Sequence, residues 1–239
     1  MPTNQKKPNS QKKPINPKKR AIQTARKRQS RGRIYLVAIL VLIIAIGVGW
    51  YVYASGQAGN QNMAPTGIVY AKLDTSKGLI EVELYNKSAP KTVTNFVNLA
   101  ESGFYNNLVW HRINAGFVIQ TGDPTTKNGG GNRTTWGQGS SQSVPFEYDA
   151  SLHNNVGYLG MASTASGVGG SCQFYVNLAD NSGALDGKYA VFGKVISGMD
   201  AVNALANLPT TTQYTSAQAP EPVNSSDAML ISVTISNSL

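Results

Sequence analysis

The chain has 239 residues, a formal charge of +9, one cysteine and two histidines. A single thiol excludes an internal disulfide, and two His and one Cys far apart in sequence give no metal-ligand spacing. The charge is divided unevenly: twelve of the 21 Lys and Arg lie in residues 1–33, which hold no acidic residue, whereas residues 55–239 carry nine basic against twelve acidic residues, a net of −3, so the basic character belongs to the N-terminus alone.

Residues 1–33 are rich in Lys, Arg, Pro and Gln without apolar periodicity, and are expected to form a disordered basic tail that sets topology and touches anionic lipid rather than nucleic acid. Residues 34–54, IYLVAILVLIIAIGVGWYVYA, carry no charge. At a helical rise of ~1.5 Å per residue such a run covers the ~30 Å hydrocarbon core. Trp50, Tyr51 and Tyr53 gather at its far end and Arg31 and Arg33 flank the near end. The expectation is a single-pass cell-membrane anchor with a cytoplasmic N-terminus and an extracytoplasmic C-terminal domain. A cleaved signal peptide fits less well, because its apolar stretch is ~7–15 residues and its basic region short. Residues 55–66 read as a flexible tether, leaving 67–239 as a domain long enough to bury its own core.

Within that domain, 68–74 and 79–85 alternate apolar and polar residues around the turn TSKG, which predicts a β-hairpin. Residues 89–102 read as a helix, with Ser88 as N-cap, Pro90 at its start, Val93, Phe96 and Val97 at helical spacing, and Gly103 ending it. Strand patterns follow at 108–113, 117–120, 158–161, 173–178 and 190–195, then a helix over 199–208 stopped by Pro209 and a last strand over 229–235. Short strands in this number with two helices predict a mainly-β protein: a closed eight-stranded antiparallel barrel capped by two helices.

The chemistry concentrates in WHRINAGFVIQTGD, residues 110–123. Arg112 stands eight positions before Gln120, with Phe117, Val118 and Ile119 between them. Such a segment builds an apolar cup with a cation and an amide at its rim, and offers no nucleophile, acid–base pair or metal cluster. That suits binding and twisting rather than cutting. His111, next to Arg112, falls on the opposite strand face and reads as structural. Cys172 reads as a small buried apolar residue. NGGGN at 128–132 lacks the Lys-Ser/Thr ending of a phosphate loop.

NFVNLAESGFYNNLVWHRINAGFVIQTGD, GYLGMA at 157–162, SCQFYVNL at 171–178 and LDGKYAVFGKV at 185–195 together resemble, in order, the motifs of the cyclophilin-type peptidyl-prolyl cis-trans isomerases, over about 68–235. The short loops resemble bacterial members. The resemblance implies that Arg112 is the catalytic arginine, that Phe117 and Val118 form the pocket floor (Val118 in place of a common Met) and that Gln120 stands beside the arginine. It implies that Ala162 and Ser163 match the backbone segment that holds the substrate, that Gln173 and Tyr175 match a Gln and an aromatic, usually Phe, that Leu185 lines the pocket and that Tyr189 stands where many members have His. Ala184 stands where some members carry Trp, which implies weak cyclosporin binding. Asn114–Ala115 replaces a residue-Pro pair, Thr121 replaces a Gly, and the loop between Met161 and Gln173 is about one residue longer. No cofactor is implied.

The activity expected is rotation of X–Pro bonds in exported or envelope proteins by a monomer, with proline-containing polypeptides as partners, membrane lipid met through residues 34–54 and no nucleic acid. Arg112 would donate to the prolyl nitrogen of the twisted amide. The rival is a membrane-tethered chaperone or adaptor that binds proline segments without turnover; it needs the cup but not the arginine.

Overall fold

A computed structural model describes residues 67–214 and 220–238. The expected tail (1–33), anchor (34–54) and tether (55–66) lie outside the described residues. Among the described residues no helix is long and apolar enough to cross a membrane.

The first hairpin forms as its alternation dictates: β1 (Val69–Thr75) pairs antiparallel with β2 (Gly78–Leu84), with Leu73 opposite Ile80 and Thr75 opposite Gly78. At the turn, Gly78 has a φ of +123°, and the Thr75 hydroxyl donates to the Gly78 carbonyl at 2.6 Å. Helix α1 (Pro90–Glu101) follows, burying Thr92, Val93, Phe96, Val97 and Ala100, the stripe expected from a 3.6-residue period. It ends at Gly103, whose φ is +72°. The start differs from the sequence expectation, since Ser88 is not the cap. Ala89 holds that position without a side-chain bond, and the exposed amides are taken by Glu147, whose carboxylate accepts from Lys91 N at 3.0 Å and from Thr92 N and Oγ1 at 2.8 Å.

Among the described residues, the expected closed eight-stranded barrel is corrected to a nine-stranded antiparallel sheet that curls into a half-barrel, its strands in the spatial order 108–109, 229–236, 69–75, 78–84, 191–197, 158–161, 174–177, 118–121 and 112–114. The extra strand arises because the single run at 108–113 serves two partners. Its first part, β3 (Leu108–Val109), pairs with β11 (Met229–Ser236), and its last part, β4 (Arg112–Asn114), pairs with β5 (Val118–Thr121). Between them Trp110 and His111 turn the corner, with Trp110 N bonded to the Ala228 carbonyl at 2.8 Å. The two edges of the sheet are thus consecutive in the chain, but their ladder stays open. Strands β6 (Tyr158–Met161), β7 (Phe174–Asn177) and β8 (Val191–Ser197) fall where the patterns put them. So does a helix over Met199–Ala206, which becomes α3 because a one-turn helix, α2 (Ser182–Leu185), precedes it unpredicted. A two-stranded ribbon of β9 (Thr210–Thr211) and β10 (Glu221–Pro222) also went unseen in the sequence; its neighbour Pro220 accepts a bond from Ile113 N at 2.9 Å, which secures β4.

The core lies between α1 and the concave side of the sheet. Phe96 of α1 meets Tyr105, Phe174 and Phe192 at ring-centroid distances of 5.1, 5.3 and 5.4 Å, and Trp110 closes on Phe174 at 5.9 Å. All five rings are fully buried, and each aliphatic or aromatic side chain removed from water in this way contributes about 1.5–3 kcal/mol.

Candidate active site

Strand alternation sends every second residue of β4, β5, β6 and β7 away from this core. Ile113, Ile119, Leu159, Phe174 and Val176 face inward to the main cluster, while Val118 and Tyr175 belong to a second one, with Leu185 buried beside them and Phe117, Ala162 and Tyr189 packed around. Register then aligns the outward residues in a row across four strands: Arg112 opposite Gln120, Gln120 opposite Tyr175, and Tyr175 opposite Gly160. The absent side chain at Gly160 is what lets the Tyr175 ring approach the strand there; a Cβ would come within 2.1 Å of its Cζ.

Six of the residues expected at the site thus form one apolar cup, and Arg112 and Gln120 stand beside it. Tyr189 meets Tyr175 edge-on at 6.2 Å, and the Arg112 guanidinium lies 5.8 Å from the centre of the Phe117 ring. Phe117 is placed by the tight turn from Asn114, where its N–H bonds to the Asn114 carbonyl at 2.9 Å and Gly116 takes a φ of +76°. Arg112 is oriented by a chain of amides. Its Nη1 donates to Gln120 Oε1 at 3.4 Å, Gln120 Nε2 to Gln173 Oε1 at 2.9 Å, and Gln173 Nε2 to the carbonyls of Gly137 and Gly139 at 3.0 and 2.7 Å. Amides orient the guanidinium without neutralising it. Among the described residues no carboxylate pairs with Arg112. Burial pulls its pKa below the usual arginine value, with Tyr189 opposing, but an arginine remains protonated.

Ser163 sits at the margin: its hydroxyl turns back to the Ala165 carbonyl at 2.6 Å, while Ala162 N is held by the Gln173 carbonyl at 2.9 Å. Ala184 is exposed. His111 is fully buried. Burial pushes its pKa down to about 4, although Asp123, the Val109 carbonyl and the Gln173 side chain lie close enough to draw it partly back. Neither ring nitrogen has a partner at hydrogen-bonding geometry. It is a neutral residue packed behind the site. Cys172 is buried, and burial raises its thiol pKa.

Sequence reasoning missed the polar frame behind the cup. The Tyr175 hydroxyl donates to Asn154 Oδ1 at 2.8 Å, and Asn181 Nδ2 bridges the Phe117 carbonyl and Asn177 Oδ1, both at 2.8 Å. Asn154, Asn177 and Asn181 are buried loop or strand amides with no periodic signal. Gly160 did carry one, since a glycine inside a strand marks a close approach.

The family model for cyclophilin type peptidyl-prolyl cis-trans isomerase/CLD matches residues 70–227. A "Peptidyl-prolyl cis-trans isomerase-like 1" of Aspergillus fumigatus is 40% identical over 140 residues, covering 59% of this chain and 83% of that protein. A "Peptidyl-prolyl cis-trans isomerase" of Acinetobacter baylyi is 40% identical over 147 residues, covering 59% of this chain and 73% of that protein. The crystal structure of a cyclophilin type peptidyl-prolyl cis-trans isomerase of Cryptosporidium parvum superposes with a TM-score of 0.61 at 26% identity, over 72% of this chain and 99% of that one. A structure of that protein in the presence of the dipeptide Ala-Pro gives a TM-score of 0.60 at 28% identity, over 71% and 99%.

Proposed function

The chain belongs to the cyclophilin-type peptidyl-prolyl cis-trans isomerases (EC 5.2.1.8), and from that premise we propose that Arg112, Phe117 and Gln120 carry the reaction while Val118, Ala162, Ser163, Gln173, Tyr175, Leu185 and Tyr189 hold a proline-containing segment. The observation that carries this reading is an unneutralised arginine, held by two successive glutamines, at the edge of an apolar cup.

Rotation about X–Pro crosses ~18–20 kcal/mol because amide resonance is lost. The twisted nitrogen regains a lone pair, and a fixed donor aimed at it binds that state better than either planar isomer. Arg112 is the donor. The prolyl ring rests on Phe117, Val118, Tyr175 and Leu185 while the preceding carbonyl swings. One charged hydrogen bond contributes ~1.5–3 kcal/mol, whereas a 10⁴-fold acceleration needs ~5.4 kcal/mol. The remainder comes from the low-dielectric wall, which favours the less polar twisted amide, and from the grip of the cup. The relative described with Ala-Pro supports proline-containing ligands for this site.

Exchange NMR on an X–Pro peptide tests the reading, with the purified full chain compared with Arg112→Ala. Fast exchange that collapses in the variant supports it. A folded wild type that accelerates no X–Pro peptide sinks it in favour of a non-catalytic proline-binding chaperone or adaptor.

We further propose a bacterial, membrane-anchored enzyme: residues 34–54 span the cell membrane, residues 1–33 stay cytoplasmic, and the isomerase domain works as a monomer on exported or envelope proteins. The charge asymmetry and the uncharged 34–54 run support this. Protease added outside spheroplasts should remove the domain and spare the tail; a protected domain would reverse the topology.

A further inference from the structure

Tyr175 fills the cup with an aromatic face, which a phenylalanine would do equally well, yet it carries a hydroxyl into a site where the residue is only 4% exposed. A buried hydroxyl costs stability unless it is bonded. Its partner is Asn154, itself 0% exposed and on the loop before β6. Asn154 Oδ1 accepts from the Tyr175 hydroxyl at 2.8 Å and from Asn177 Nδ2 at 3.3 Å. Its backbone N–H and its Nδ2 both donate to one carboxylate oxygen, Asp186 Oδ1, at 2.9 Å each. The Asn154 carbonyl in turn receives Asn181 N at 2.9 Å, and Asn181 N-caps α2.

Asp186 directly follows Leu185, the opposite wall of the cup, and its other oxygen meets His153 Nδ1 at 2.7 Å. Burial alone would raise the Asp186 pKa, but the bonds from Asn154 and His153 outweigh it and hold the carboxyl below its usual value, so at neutral pH it is a charged acceptor. Charge-assisted bonds of this kind are the stronger and more directional ones. Two walls of the cup that come from different parts of the chain, Tyr175 on β7 and Leu185 on α2, are therefore fastened to a single side chain.

We propose that Asn154 is a positioning residue of the isomerase: by holding Tyr175 and the Leu185–Asp186 turn at a fixed separation, it keeps the proline cup formed before substrate arrives. The inference rests on the cup being the proline site. A cup that must be reassembled on binding weakens its hold on planar and twisted substrate alike, which appears in KM rather than in kcat.

The test uses the full chain with Tyr175→Phe, Asn154→Ala and the double variant, following thermal unfolding, kcat and KM for an X–Pro peptide by exchange NMR, and Kd for the same peptide by chemical-shift titration. Tyr175→Phe should stay folded and raise KM by roughly three- to tenfold with kcat within about twofold, and Asn154→Ala should raise KM by about tenfold or more. The double variant should resemble Asn154→Ala alone, because the hydroxyl acts only through Asn154. Unchanged KM in folded Tyr175→Phe, or independent effects that multiply in the double variant, would overturn the proposal. Should Asn154→Ala fail to fold, Tyr175→Phe still decides. The Kd series separates this inference from the isomerase reading: a wild type that binds but does not accelerate defeats the enzyme and leaves the cup testable by Kd.

Discussion

Phe174 and Tyr175 are adjacent on one strand and face two different apolar clusters. Phe174 enters a core of rings from α1, the β3–β4 corner and β8, where neighbours surround it on all sides. Tyr175 enters a small cluster with the polar Asn154 behind it and Gln120 between it and Arg112. Similar side chains thus stand in different settings: the first cluster holds the fold together, and the second is the apolar cup of the proposed proline site. The difference teaches that burial alone does not identify the main core, since Val118 at 1% exposure and Tyr175 at 4% belong to the second cluster.

The sharpest way to break that distinction is to truncate on each side of the sheet. Phe174→Ala should cost about 3–5 kcal/mol in stability, read from the denaturant midpoint, because it opens a cavity among rigid rings. A loss below about 1 kcal/mol would mean that the inner cluster is not the main support.

Acid supplies the next test, through His111 behind the site. Its folded pKa of about 4 lies below the ordinary 6.5. The unfolded chain therefore takes up a proton near pH 6.5 that the folded chain refuses. Stability should be full above pH 6.5, fall as pH drops toward 4 and level off below, with a total loss of about 3 kcal/mol. Asp186, held below its usual carboxyl value, adds a loss only at lower pH. Unfolding free energies between pH 7 and 4 for the wild type and His111→Gln should diverge in slope; parallel curves would show that His111 is not held neutral.

On the outer side the readout changes from stability to rate. Arg112→Ala should lower kcat/KM by roughly 10- to 150-fold, the equivalent of one charged hydrogen bond of ~1.5–3 kcal/mol, and Arg112→Lys should restore little because the fork of donors is lost. The melting temperature should move by no more than a few degrees. A large drop in stability instead would make Arg112 part of the support. The smallest effect expected is from Gly160→Ala, whose methyl group meets the Tyr175 ring. The ring must shift, and kcat/KM should fall about tenfold; an unchanged rate would show that the close seat of Tyr175 on Gly160 is irrelevant.

Much of this arrangement was legible in the residues. Clean alternation at 79–85 marked that strand and its faces, and the Phe96 stripe marked the helix; the run at 229–235 was legible as a strand, but a register shift opposite Asp74 and Thr75 buries Leu230 and exposes Ile231, which alternation alone would reverse. Arg112, Phe117 and Gln120 are close in sequence and on adjacent strands of one hairpin, so their meeting follows from local structure. What stayed hidden depends on long-range partners. The run at 108–113, LVWHRI, contains no glycine or proline, and no turn signal within it marks the change from β11 to β5 that divides it. The α1 cap comes from Glu147 and the frame of the cup from Asn154, each a polar residue in an irregular loop whose meaning exists only once the sheet has placed it. The β9–β10 ribbon is two residues per strand, too short for any period to show.

One pairing bears on how such a chain comes into being. β1 has β2 on one side and β11 on the other, with Tyr70 opposite Ser236. A polypeptide made or threaded through a channel N-terminus first presents its opening hairpin long before that second neighbour exists, and α1 likewise waits some 55 residues for its cap. Contacts of such sequence separation form late. The hairpin edge must therefore stand unpaired until almost the whole domain has emerged, whereas the partners that orient Arg112 lie no further along than Gln173. The partner of the opening strand is thus among the last parts of the domain to be made.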